Sequence, residues 1–93
     1  MVGTQLVVAL TPSPVVALHR AVAVAEVDGP DAALVLVDRL DLDRYHLFHA
    51  IRADLLRRLG RTAEAARAYD AALARTRNAS EQAFLRRNRE ALT

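Results

Sequence analysis

Residues 11–30 read TPSPVVALHRAVAVAEVDGP. Two periodicities compete in this stretch. Its middle, AVAVAEV over residues 21–27, alternates as a half-buried strand does, and its β-branched valines favour that state. Its ends carry helix punctuation. Ser13 offers a hydroxyl N-cap, and Pro14 sits in the first turn, where a missing N–H costs nothing. Asp28-Gly29-Pro30 is a stop signal. Between them lie thirteen residues without Gly or Pro, too long for a typical strand. Val15, Leu18, Val22 and Ala25 fall at helical spacing, with Val16, Ala23 and Val27 at the stripe's edge. The balance predicts a helix over residues 14–27.

Outward from that stretch the chain reads as helices throughout. A second helix opens at Pro30 or Asp31 and runs to about Leu40. Asp41-Leu42-Asp43 is a polar connection with N-cap candidates. Residues 44–59 form a third helix with Leu47, Phe48, Ile51, Leu55, Leu56 and Leu59 on its apolar face. Gly60 ends it where a left-handed residue belongs. Thr62 caps a fourth helix to about Thr76, rich in strong helix formers. Asn78 and Glu81 are spaced as a capping box for a fifth, to about Leu92. Gln5 to Leu10 reads as one more short helical piece. Connections this short make neighbouring helices antiparallel. The expected class is all-α, as one domain over residues 1–93: a helix pair at 11–40, a second at 43–76, and a capping helix at 79–92.

The two pairs are related. PVVALHRAVAVAEVDGPDAALVLVDRL aligns with HLFHAIRADLLRRLGRTAEAARAYDAAL at an offset of 32 residues, or 31 between Gly29 and Gly60. Ala21 then matches Ala53, Val24 matches Leu56, Ala33 matches Ala65, Val37 matches Tyr69 and Leu40 matches Ala72. Close helix crossings need small residues at the contact, which accounts for alanine recurring between the valines. The second unit resembles a tetratricopeptide repeat (TPR). Ala53 takes the small position, Leu56 the large one, Gly60 the turn, and Ala65, Tyr69 and Ala72 follow. His49 stands where Trp is usual, and Arg77 or Asn78 where Pro is usual. The first unit also has a shorter turn.

Composition narrows the classes. Ninety-three residues support one modest core, and 53% apolar residues argue against intrinsic disorder. With two Phe, two Tyr and no Trp, that core is aliphatic and alanine-rich. The absence of cysteine removes disulfides, thiolate metal sites and cysteine nucleophiles. All 13 basic residues are Arg, yet the net charge is only +2, because 11 acidic residues are interspersed. That pattern is a solvated helical surface rather than a phosphate-binding patch, so direct nucleic-acid binding by this chain alone is not expected. MVGTQLVVAL lacks the basic start of a signal peptide. No apolar run approaches the ~18–20 residues of a membrane helix.

Two longer phrases carry a narrower likeness. LTPSPVVALHRAVAVAEVDGP and YHLFHAIRADLLRRLGRTAEAARAYDAALARTRN resemble the C-terminal TPR-like extension of bacterial extracytoplasmic-function (ECF) RNA polymerase sigma factors of the sigma-24 type. The likeness runs from about Leu6 to Leu92, and His19 departs from it where Asn is usual. In that group the extension follows two promoter-recognising helical domains, which have no counterpart here. The resemblance therefore implies a cytoplasmic regulatory domain, acting through contacts with sigma-factor regions or the RNA polymerase core.

Candidate chemistry is sparse. His46 and His49 lie three apart, on adjacent helical turns, with Asp43 or Asp54 as conceivable third ligands. Zinc sites need three or four convergent ligands, so two histidines packing at a helix seam is the simpler reading, and no cofactor or metal is expected. A His49–Asp54 pair lacks a nucleophile, because Ser13 and Ser80 read as caps, so catalysis is not expected. Arg57-Arg58-x-x-Arg61 and Arg86-Arg87-x-Arg89 read as ion-paired surface, with Arg57 against Asp54 and Arg86 against Glu90. If the first helix of each pair lines a concave face, Leu18, Val22, Glu26, Ala50, Asp54 and Arg57 face the groove. The partner-binding candidates are Glu26, Tyr45, His46, His49, Asp54 and Arg57. Two alternatives of other classes remain. One is a self-associating helical module using the LVVAL edge between Leu6 and Leu10. The other is a small enzyme or ligand carrier, which would need a polar pocket around His46 and His49.

Overall fold

The computed structural model describes residues 13–92. The short piece expected at residues 5–10, and the dimerising edge drawn from it, lie outside them. Five helices follow one another: α1 (Pro14–Asp28), α2 (Pro30–Asp38), α3 (His46–Arg58), α4 (Thr62–Arg75) and α5 (Ala79–Glu90). Helix α1 packs on α2, α2 on α3, α3 on α4, and α5 on α4. The fold is all-α: two helix pairs closed by a capping helix. Among the described residues there is no strand, and no helix is long and apolar enough to cross a membrane.

Local chemistry explains the boundaries. Ser13 Oγ accepts from the Val15 N–H at 3.2 Å, with Pro14 next in the first turn. Gly29, at φ 97° and ψ 161°, alone separates α1 from α2. Only glycine reaches that backbone region without strain. The second pair turns on residues 59–61 instead. There Gly60 has φ 76°, the Gly60 N–H donates to the Arg57 carbonyl, and the Arg61 N–H donates to the Leu56 carbonyl at 2.9 Å. This is a Schellman closure. Asn78 Oδ1 accepts from the Glu81 N–H at 3.0 Å. The Glu81 carboxylate does not return to Asn78. It takes the Thr76 hydroxyl at 2.7 Å, and Thr76 Oγ1 accepts the Asn78 N–H.

Two expected caps are corrected. Helix α3 begins at His46 with Tyr45 in the cap position, so none of residues 41–43 caps it. Thr62 is the first residue of α4, and Arg61 precedes it without a side-chain cap. The Arg61 guanidinium instead grips Glu64 in two hydrogen bonds, at 2.8 and 2.7 Å. A carboxylate in the first turn also complements the helix dipole.

The core is one continuous cluster through both pairs and α5. Ala21, Ala33, Ala53 and Ala65, the matched alanines of the two units, are all fully buried. Val37 and its counterpart Tyr69 are buried too. The α1 stripe is narrower than its sequence pattern predicts. Leu18, Ala21 and Ala25 are inside, while Val22, Ala23 and Val27 are exposed.

Candidate functional site

A groove of about 340 Å³ runs along α3. Its floor and walls are Val22 and Ala25 of α1, Leu47, Ala50, Ile51 and Leu55 of α3, and Phe84 and Leu85 of α5, with Tyr69 of α4 beneath. The α3 positions follow from helix geometry. At ~100° per residue, residues 46, 47, 50, 51, 54, 55 and 58 share one half of the helix surface. Helix α5 presents Glu81, Phe84, Leu85 and Asn88 at i, i+3, i+4 and i+7, again a single face. The groove is thus built by the first helix of each pair plus the capping helix. Val22 and Phe84 keep 41% and 57% of their surface exposed, so apolar area is available to a partner.

Charge is confined to the two ends. At the C-terminal end of α3, Arg58 lies 3.6 Å from Asp54 and 3.8 Å from Glu26, tying α3 to α1 across the groove. Asp54 also accepts a hydrogen bond from Arg57. That bond, ahead of any other influence, raises the Arg57 pKa further above its ordinary value, with a smaller contribution from Tyr69. Burial raises the Tyr69 hydroxyl pKa, and the Arg57 guanidinium opposes the shift. About twelve residues and ~18 Å away along α3, His46 Nε2 lies 2.8 Å from Glu81 Oε2. That nitrogen is shielded from solvent and makes no hydrogen bond among the described residues.

The predicted site residues separate into two groups. Asp54 and His46 line the groove, and Glu26 reaches its rim through Arg58. Tyr45, His49 and Arg57 do not line it. His49 lies on the opposite side of α3 and is mostly buried. Its Nε2 stands 2.6 Å from the Asp43 carbonyl oxygen, and its ring packs edge-on to Phe48. Arg75 of α4 donates to the same carbonyl at 2.6 Å. Asp43 is therefore a tie between the connection after α2, helix α3 and the end of α4. Tyr45 belongs to the connection's own surface with residues 41–44. Arg57 sits at the edge of the groove stripe, turned toward Tyr69.

Two further expectations are corrected, and a pairing set aside on sequence grounds is absent. Leu18, placed on the groove by analogy, is fully buried, because it shares the inward face with Ala21 and Ala25. His49 and Asp54 are not paired: one bonds to Asp43 and the other to Arg57. Arg86 and Glu90 form no ion pair; in α5 it is Arg89 that pairs, with Asp70 of α4 at 2.6 Å. Among the described residues no three His, Cys, Asp or Glu side chains converge as a metal site would require. Among the groove residues absent from the expected set are Phe84, Glu81, Asn88 and Arg58. The first three were readable as one face of the last helix. Arg58 rather than Arg57 follows from spacing, because it lies at i+4 from Asp54 and i+7 from Ile51, in the middle of the groove stripe.

Over 79 residues, 83% of the chain, the sequence is 51% identical to an uncharacterized protein of Rhizobium meliloti (strain 1021). The match covers 19% of that protein, so the chain spans about a fifth of its relative's length. No protein family matches the chain. No solved structure matches it either.

Proposed function

We propose that this helical-repeat domain is a protein-interaction module working in transcription initiation, as the regulatory extension of an ECF-type sigma factor. It would act in the cytoplasm by holding a segment of the sigma-factor regions or of the RNA polymerase core in the groove along α3. The observation that carries an interaction role is the groove itself: an apolar floor, two exposed apolar anchors in Val22 and Phe84, and charge only at its ends. Partner-binding surfaces are built this way, with an apolar centre and a polar rim. Likeness to part of a much longer relative supports a module inside a larger protein. The transcriptional setting rests on the TPSPVVAL-x-RAVAVAEVDGP and YHL-x-HA-x-RADLLRRLGR strings.

The test is a titration of purified full chain against sigma-factor regions and against core RNA polymerase. Binding to one of them is expected, weakened about tenfold or more by Val22→Asp or Phe84→Asp. Both side chains are already exposed, so neither variant threatens folding. Binding to neither partner, or binding indifferent to both substitutions, contradicts the proposal.

A further inference from the structure

Helix α1 carries a second apolar surface, on the side away from α2 and outside the groove. Val16, Arg20, Ala23 and Val27 recur at i, i+4, i+7 and i+11, which is one stripe of a helix. All four are exposed, Val16 by 50% and Val27 by 82%. Arg20 has no ion-pair partner among the described residues.

The internal repeat says what such a stripe is for. Shifted by the 32-residue offset, these positions become Phe48, Arg52, Leu55 and Leu59 of α3. There the stripe is covered. Phe48 is 9% exposed, Leu55 2%, and Leu59 packs against the core. Arg52 at its centre donates to Asp38 of α2 at 2.7 Å. The face of α3 that carries Arg52 is thus the face that receives the helix preceding it in sequence. Helix α1 repeats the pattern, arginine included.

We infer that the Val16–Arg20–Ala23–Val27 stripe is a docking face for an amphipathic helix of the α2 kind, supplied by the polypeptide that precedes this domain in a longer protein. The docking helix lays aliphatic side chains on Val16, Ala23 and Val27 and sets a carboxylate against Arg20, as Asp38 does against Arg52. Two observations support the preceding polypeptide as the source. Within this chain the equivalent face is tied to the immediately preceding helix through Arg52 and Asp38. The match to the Rhizobium meliloti protein accounts for only 19% of that protein, which leaves ample polypeptide to supply a helix. The inference stands on the repeat register and needs no sigma-factor role, so failure of the partner titration would leave it intact.

A chimera tests it. In the full chain, residues 1–6 are replaced by a second copy of α2, PDAALVLVD. Residues 7–13 then form a connection as long as residues 39–45, which join α2 to α3. Hydrogen exchange and thermal unfolding are compared with the unmodified chain. The expected result is exchange in α1 slowed about tenfold or more, with a higher Tm. Arg20→Glu should remove part of that gain, and reversing the copied aspartate to arginine in the same chain should restore it. Unchanged exchange in α1 despite a helical added segment, seen by circular dichroism, overturns the inference. So does light scattering that finds the unmodified chain dimeric and made monomeric by Val27→Asp, since a second copy would then occupy the face.

Discussion

The two helix pairs share a crossing but not an environment. Both bury an alanine from each helix at the contact, Ala21 with Ala33 and Ala53 with Ala65. The second pair has α2 on one side and α5 on the other, and polar ties bind it to both. Arg52 holds Asp38, Arg89 holds Asp70, and Asp43 collects His49 and Arg75. Among the described residues the first pair is covered on one side only, and it exposes Val16, Val27, Val35 and Leu36. Alanine at the crossing fixes how closely two helices approach. What lies outside the crossing decides how stable the pair is and what else it can bind. Stability is then graded along the chain, greatest in α3 and α4.

The largest effects that would sharpen this contrast are cavities. Leu18 and Leu56 are both fully buried, one in each pair. Leu56→Ala should cost about 3–5 kcal/mol, because the enclosed second pair cannot collapse onto the gap. Leu18→Ala should cost about 2–3 kcal/mol in the more yielding first pair. Urea denaturation of the two variants measures both, and the reverse order would break the comparison.

Overpacking tests the shared feature instead. Ala21→Leu and Ala53→Leu should each cost about 1–3 kcal/mol and should cost alike, since each forces a helix crossing apart. A near-neutral Ala21→Leu would show that the two crossings are not equivalent.

The turns differ by less. Gly29→Ala should cost about 2 kcal/mol, because φ is 97° and the added Cβ would stand 3.0 Å from Asp31 Oδ1. Gly60→Ala should cost about 1 kcal/mol, because its φ of 76° is left-handed helical and nothing lies within 4 Å. Thermal unfolding of the two variants gives that order directly.

The smallest effect is a titration. Burial holds the Tyr69 hydroxyl above its ordinary pKa of 10.0. The unfolded chain therefore loses this proton first, so the stabilisation is complete below pH 10.0 and declines as pH rises through the folded value. Tyr69→Phe should flatten that alkaline decline. An equal decline in the variant would assign it to another group.

Most of the fold was legible because its signals are local. Ser13-Pro14, Gly29, Gly60 and Asn78 act within a few residues of where they stand, and the alanines repeat at a fixed offset. The strand-like alternation of residues 21–27 was outweighed by those ends, and the valines that produced it are partly on the surface. The site was less legible because it depends on azimuth and on which helix lies opposite. A two-residue change in where α3 starts decides whether its caps come from residues 41–43 or from Tyr45. His49 stood among the partner-binding candidates because sequence spacing cannot tell a groove-facing histidine from one bonded to a backbone carbonyl. Leu18 looked like groove lining because analogy places whole helices, not faces. Asp43 drew notice only as a possible cap or ligand, since its ties run to residues far along the chain.

Residue-resolved native-state hydrogen exchange of the full chain tests the central contrast most directly. The account predicts that amides of α3 and α4 exchange only through near-global unfolding, while those of α1 and α2 exchange through a smaller, lower-energy opening. Uniform protection across all four helices, or slower exchange in α1 than in α3, would contradict it.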